Sequence, residues 1–202
     1  VNHYRKVVKL AHENKIMIDA HEPIKPTGIR RTYPNMMTRE GVRGMEYNAW
    51  SEGNSPEHTT ILPFTRMLAG PLDYTPGIFD ILLKKHDDTR KKHAGKNYKR
   101  SVHTTLAKQL GLFVILYSPL QMASDLVENY EDHPAFKFIE NVPVDWEKTH
   151  VLNGQIGDFI TIARKDRNSS NWYLGAITDE NSREMNISLD FLEDGKTYKA
   201  AI

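Results

Sequence analysis

Ile16-Met17-Ile18-Asp19-Ala20-His21 is a short apolar run that turns abruptly polar and then breaks at Glu22-Pro23 and Lys25-Pro26-Thr27-Gly28. An unbroken apolar run that ends in a loop of this kind reads as a buried strand feeding a long polar loop. The pattern recurs at Gly44-Met45-Glu46-Tyr47, at Met67-Leu68-Ala69-Gly70-Pro71-Leu72-Asp73 and at Leu112-Phe113-Val114-Ile115-Leu116-Tyr117. Helical stretches are expected between these runs, near residues 61–66 and 102–110, and again over 120–130. Strand-then-helix units in succession predict a parallel α/β architecture.

The flanks differ from this centre. Residues 1–14 place Val1, Tyr4, Val7, Val8 and Ala11 on one helical face and stop at Asn14-Lys15, a plausible C-cap. No Ser, Thr or Asp cap precedes Val1, so the expectation is that the chain begins inside a larger architecture. After Val142-Pro143-Val144 short alternating runs take over, at residues 159–163, 172–177 and 185–189, separated by turn-rich segments. They predict an antiparallel β module. The strand-like Tyr198-Lys199-Ala200-Ala201-Ile202 suggests that this module, too, is cut short.

Composition narrows the classes. The chain has 202 residues, of which 39% are hydrophobic and 26% charged, enough for one ordinary domain and part of a second. Its longest apolar stretch, residues 110–117, is far too short for a bilayer helix, so membrane insertion is not expected. A formal charge of +1 provides no global field to draw nucleic acid. The eight Lys and Arg of residues 84–100 are interrupted by Asp87 and Asp88 and lack a row of stacking aromatics, so they read as a solvated loop. The absence of cysteine excludes disulfides, thiolate nucleophiles and cysteine-based metal sites.

In a parallel barrel, reactive groups sit where strands end and loops begin. That rule selects Asp19, His21 and Glu22 after the first strand, Glu46 and Tyr47 at the second, Asp73 and Tyr74 at the third, and Tyr117 and Ser118 at the fourth. Glu40 lies close enough to the second strand for its loop to fold back over the same face. Gathered carboxylates suit acid/base work on a glycosidic bond or the binding of a hard cation through oxygen. Spacing alone also allows a plainer reading, with Glu40 and Glu46 as exposed loop charges and Asp19 and His21 as strand caps. Trp50, Trp146 and Trp172 could stack on sugar rings, although packed tryptophans are commoner. No Gly-rich phosphate loop, zincin helix or nucleophile elbow is present.

The loops carry a more specific signal. His21-Glu22-Pro23, Lys25-Pro26-Thr27-Gly28, Arg31-Thr32-Tyr33-Pro34-Asn35, Glu40-Gly41-Val42-Arg43-Gly44-Met45-Glu46-Tyr47-Asn48, Leu62-Pro63-Phe64-Thr65-Arg66 and Gly70-Pro71-Leu72-Asp73-Tyr74-Thr75-Pro76-Gly77 together resemble glycoside hydrolase family 97. The likeness continues through Tyr117-Ser118-Pro119-Leu120-Gln121-Met122-Ala123 and into residues 152–177.

This resemblance implies the C-terminal half of a (β/α)8 TIM barrel over residues 1–143, followed over 144–202 by the start of a C-terminal antiparallel β domain. It implies a calcium-dependent, exo-acting glycoside hydrolase of periplasmic polysaccharide utilisation. By motif position Glu46 matches the general acid. Glu22 matches a residue that helps activate water and contacts calcium, Glu40 a further calcium ligand, and Glu46 lies near the metal as well. His21, Glu22 and Asp19 would line the substrate. A glutamate at the Glu22 position belongs to the inverting α-glucosidase branch; the alternatives are a retaining α-galactosidase and a non-catalytic carbohydrate-binding barrel. Expected partners are an oligosaccharide substrate and, across the open strand edges, either the missing half-barrel or a second copy of the chain.

Overall fold

The computed structural model describes residues 1–49, 51–83 and 101–202. Helix α1 (Asn2–Glu13) follows the amphipathic pattern, with Val8 buried while Val1 and Val7 stay exposed. The Asn14 side chain closes its end by donating to the Leu10 carbonyl at 2.8 Å. Strand β1 (Ile18–Ala20) then pairs in parallel with β2 (Met36–Arg39), Asp19 opposite Thr38 and Ala20 opposite Arg39. Their connection contains the short helix α2 (Ile29–Thr32), entered through Gly28 at φ 78°, a conformation that suits glycine.

Two further extended pieces continue the row. The Asp73 N–H donates to the Arg39 carbonyl at 3.1 Å, and the Leu72 N–H to the Tyr117 carbonyl at 3.0 Å. Backbone segments at β1, β2, residues 72–73 and residue 117 are therefore linked in chain order, and His21, Glu40 and Asp73 stand at the ends of the first three.

Several expected elements shift. The second strand is 36–39, and residues 44–47 instead enter a 3-10 turn, Met45–Ala49. The carbonyls of Arg43 and Gly44 are taken by the Asn54 side chain at 2.8 and 3.0 Å, which leaves them no sheet partner. The third run coils as a 3-10 turn over Arg66–Ala69, and Gly70 at φ 110° turns the chain before Leu72. The expected helix at 61–66 is α3 (Pro56–Ile61) followed by a 3-10 turn, Leu62–Phe64.

The apolar run at 112–117 is mostly helix. It forms the second half of α4 (Leu106–Ile115), whose start is capped by Thr105 accepting the Lys108 N–H at 3.1 Å. The helix expected over 120–130 shrinks to α5 (Val127–Tyr130): ahead of it the Ser124 N–H is bonded to the Pro76 carbonyl and the Asp125 N–H to the Tyr130 hydroxyl. Helix α6 (Phe136–Asn141) follows.

The C-terminal part is an antiparallel sheet in the order β3 (Trp146–Gln155), β4 (Phe159–Asp166), β5 (Trp172–Thr178). The second and third of these match expectation; β3 is additional to it, because its polar, largely exposed residues carry no strand signal. Residues 185–189 and 198–202 form no strand. They belong to a tail whose Met185 sulfur accepts from Thr161 and whose Phe191 ring lies 5.0 Å from Trp172. The basic run 84–100 and Trp50 lie outside the described residues. Among those described, no helix is long and apolar enough to cross a membrane.

One core joins both parts. Leu72, Tyr74, Leu112, Ile115 and Leu116 pack with Ile160, Ile162 and Ile177 of the sheet. Arg164, only 6% exposed, reaches from β4 to the end of α4, donating to the Val114 carbonyl at 2.6 Å and the Ile115 carbonyl at 3.3 Å. It thus satisfies carbonyls that a helix end leaves unpaired. Contact between α4 and β5 is close at Gly175, where an added Cβ would stand 2.8 Å from Val114 Cβ and 3.1 Å from the Gly111 carbonyl oxygen. Gly175→Ala should therefore lower stability in urea titration by about 1–3 kcal/mol, the usual cost of overpacking. An unchanged midpoint would show that the helix can back away freely.

Candidate functional site

The site is built by three chain reversals. His21 and Glu22 follow β1 directly, and Glu22 holds φ at 47°, an uncommon value for a side chain-bearing residue. Glu40 follows β2, its N–H donating to the Ala20 carbonyl at 2.9 Å. Gly41 then turns the chain at φ 59°, and the loop delivers Glu46 on the 3-10 turn.

That loop is held from behind. Besides Asn54, the buried His58 ring bonds through Nε2 to the Arg43 carbonyl at 3.0 Å. Burial lowers the pKa of His58, which fits a neutral ring donating to that carbonyl. The Met45 N–H donates to the Tyr74 carbonyl at 3.0 Å, tying the loop to the segment that carries Asp73.

Arg66 fixes the framework beneath. Its guanidinium donates to the carbonyls of Glu40 at 2.9 Å, Arg39 at 2.7 Å, Gly70 at 3.2 Å and Pro71 at 3.2 Å. One planar fork thereby joins the end of β2 to the segment that leads into Asp73. Burial, with Arg39 and Arg30 nearby, brings its pKa down to about 10.

His21 is the hub of the side chains. Its Nε2 lies 2.6 Å from Asp73 Oδ2, and its Nδ1 lies 3.4 Å from Glu46 Oε1 and 4.0 Å from Glu40 Oε2. Burial alone would lower the ring's pKa, but the bond to Asp73 and the surrounding carboxylates outweigh it, and the pKa is raised. Asp19, His21 and Asp73 form one compact group of possible ligand atoms, and His21, Glu40 and Glu46 a second, each within 4.8 Å.

The Asp19 carboxylate oxygens are buried and have no hydrogen-bond partner. Burial first, and then the neighbouring Asp73 carboxylate, push its pKa up to about 7. The Glu22 N–H donates to Glu40 Oε2 at 3.4 Å, while the Glu22 carboxylate belongs to neither compact group.

The structure thus brings Asp19, His21, Glu40 and Glu46 together, with Glu22 anchored to Glu40 through its backbone. It adds two residues: Asp73, which the strand-end rule selects without assigning it a partner, and Arg66, which enters the sequence reading only within a motif. Trp146 is packed, 8% exposed, against Tyr173, and Trp172 clusters with His150 and Phe191 on the sheet; neither contributes to the site.

Chemically the cluster can hold a proton on one carboxylate while others stay ionised, because their environments differ. For a hard cation it offers the oxygens of Glu40 and Glu46 within 4.8 Å of each other. Calcium takes oxygen ligands, so these carboxylates suit part of its shell, whereas the His21 nitrogen does not.

Comparison with known proteins shows what the chain is similar to. A sequence profile described as Glycoside hydrolase 97 matches residues 1–42, and one described as Glycosyl-hydrolase 97 C-terminal, oligomerisation, matches residues 145–202. A family 97 enzyme from Pseudoalteromonas sp. strain K8, solved in complex with panose, is 54% identical and superposes with a TM-score of 0.84 over 96% of this chain and 29% of that one. A complex with acarbose from the same strain gives 55% identity, a TM-score of 0.84 and the same coverage. A retaining alpha-galactosidase of Bacteroides thetaiotaomicron is 33% identical over 98% of this chain and 29% of its own length. The chain therefore spans less than a third of these relatives.

If the Arg66 fork sets the framework, Arg66→Lys should destabilise nearly as much as Arg66→Met, by about 2–3 kcal/mol, since an ammonium cannot serve carbonyls in a fixed plane. Chemical denaturation of both variants decides this. Wild-type stability in the lysine variant would mean that charge alone suffices.

Proposed function

Because the chain belongs to glycoside hydrolase family 97, we propose that it supplies the carboxylate-bearing half of an exo-acting α-glycosidase site, cleaving terminal α-glucosyl residues with inversion. The observation that carries the reading is the convergence of His21, Glu40 and Glu46 at the ends of adjacent chain segments. In this reading residues 1–143 are the second half of a (β/α)8 barrel and 144–202 open the C-terminal domain. The match of residues 145–202 to a domain described by oligomerisation supports self-association through that part. The periplasm is the compartment expected of such an enzyme.

Glu46 protonates the departing glycosidic oxygen, and Glu22 activates the water that attacks from the opposite face. The half-exposed His21 ring contacts the terminal sugar, and the Asp19 carboxylate, whose oxygens are buried, lines the site beside it. Glu40 and Glu22 would hold calcium, with Glu46 close by. When bound, that ion supplies positive charge that stabilises the ionised carboxylates. That charge falls on Glu40 and Glu22, so that Glu46 can keep the proton it donates, and Glu22 orients the water.

Three observations bear on the sugar. The presence of Glu22 favours glucosides and inversion, as does the closer likeness to an enzyme complexed with panose, a saccharide built of glucose. The likeness to a retaining alpha-galactosidase supports the second reading, retention on galactosides with the same acid. Rates on nitrophenyl α-glucoside and α-galactoside, measured with the protein carrying this chain, separate them. The glucoside should be preferred; exclusive turnover of the galactoside favours the second reading, and turnover of neither contradicts both.

Glu46→Gln should slow glycosides with poor leaving groups by about 10²–10⁴-fold and activated aryl glycosides far less, because only the former need a proton. Equal losses would argue against an acid role. Glu22→Gln should impair both classes alike, since both need the water.

A further inference from the structure

We infer that Asp73 is a positioning residue for the reaction, holding the His21 ring with Nε2–H toward itself so that the Nδ1 edge faces Glu40 and Glu46. The inference rests on the glycosidase reading of the site and adds a residue to it. Asp73 is 2% exposed, and its two oxygens have separate tasks. Oδ1 accepts the Thr75 N–H at 3.1 Å and the Thr75 hydroxyl at 3.0 Å. Oδ2, oriented by that clamp, lies 2.6 Å from His21 Nε2.

The surroundings leave Asp73 little freedom. Its backbone N–H is bonded to the Arg39 carbonyl, one of the carbonyls held by Arg66. Thr75 sits at φ 55°, an uncommon conformation that delivers both its donors to Oδ1. A carboxylate can only accept, so the short bond requires the proton on Nε2 and leaves Nδ1 turned toward Glu46. Without Asp73 the ring could rotate about Cβ–Cγ and take its Nδ1 edge away from both glutamates. A partner of this kind, one step removed from the reacting groups, fixes ring orientation and tautomer together.

The test uses the ¹⁵N-histidine-labelled protein carrying this chain, at a pH above the ring's titration. Two-bond ¹H–¹⁵N correlation spectra report the tautomer, and the His21 signal is assigned by its loss in His21→Gln. Wild type should show the Nε2–H form, and Asp73→Asn should shift it to a mixture or to Nδ1–H. An Nδ1–H form in the wild type, as a protonated Asp73 would produce, overturns the inference, as does an unchanged tautomer in Asp73→Asn.

The kinetic arm should show kcat on α-glycosides reduced about 10–100-fold in Asp73→Asn, with KM changed much less. Thr75→Val, which removes only the hydroxyl bond to Oδ1, should give a smaller loss of the same kind and covers the case in which Asp73→Asn fails to fold. Wild-type kcat in both variants overturns the role. If the wild-type protein hydrolyses no α-glycoside, the glycosidase reading fails, while the spectra still decide whether Asp73 sets the His21 ring.

Discussion

The guanidinium of Arg66 holds four backbone carbonyls, and the geometry of the site hangs on that fork. Two of them, from Arg39 and Glu40, mark the end of β2; the others, from Gly70 and Pro71, begin the segment that ends in Asp73. Without the fork, four partly buried carbonyls would lose a charged donor, and the two loop ends would be free to slide apart. Glu40 would then no longer stand beside His21, and Asp73 would no longer meet its Nε2. The half-buried cation lies beside Arg39, which itself donates to the Ile24 and Ala69 carbonyls. Arginine suits both places because it stays protonated even when burial lowers its pKa.

Arg164 plays a comparable part between helix α4 and the C-terminal sheet. It joins the last carbonyls of α4 to Thr149 on β3, with its cation 5.8 Å from the rings of Tyr117 and Trp146. Helix, sheet and the extended residue Tyr117 are thus fixed around one side chain, and Tyr117 in turn accepts the Leu72 N–H next to Asp73. The sheet therefore supports the site from a distance without contributing a ligand atom to it.

Much of this is legible in the sequence because strand ends concentrate function. The apolar-to-polar switch at Ile18-Asp19-Ala20-His21 locates β1 and the end where His21 stands, and the loop motifs contain Glu40 and Glu46, which the fold brings beside it. The errors have local causes. The run at 112–117 is apolar throughout, and such a run cannot by periodicity be told from a buried strand; the Thr105 cap and the length of α4 decide for helix. Residues 44–47 look like a strand until Asn54 and His58 claim the carbonyls of Arg43 and Gly44 at its start from a distance. Strand β3 hides because its residues are polar on an exposed edge. The roles of Asp73 and Arg66 join residues 52 and 26 positions apart, and no local pattern announces such contacts.

What unites these observations is the claim that the registered chain ends carry an inverting α-glucosidase site. The most direct measurement follows the anomeric proton by NMR during the first turnovers of an α-glucoside, before mutarotation mixes the products. Attack by a Glu22-activated water on the face opposite Glu46 predicts that β-glucose appears first. Initial release of α-glucose would contradict inversion and reassign the site to a covalent, retaining mechanism.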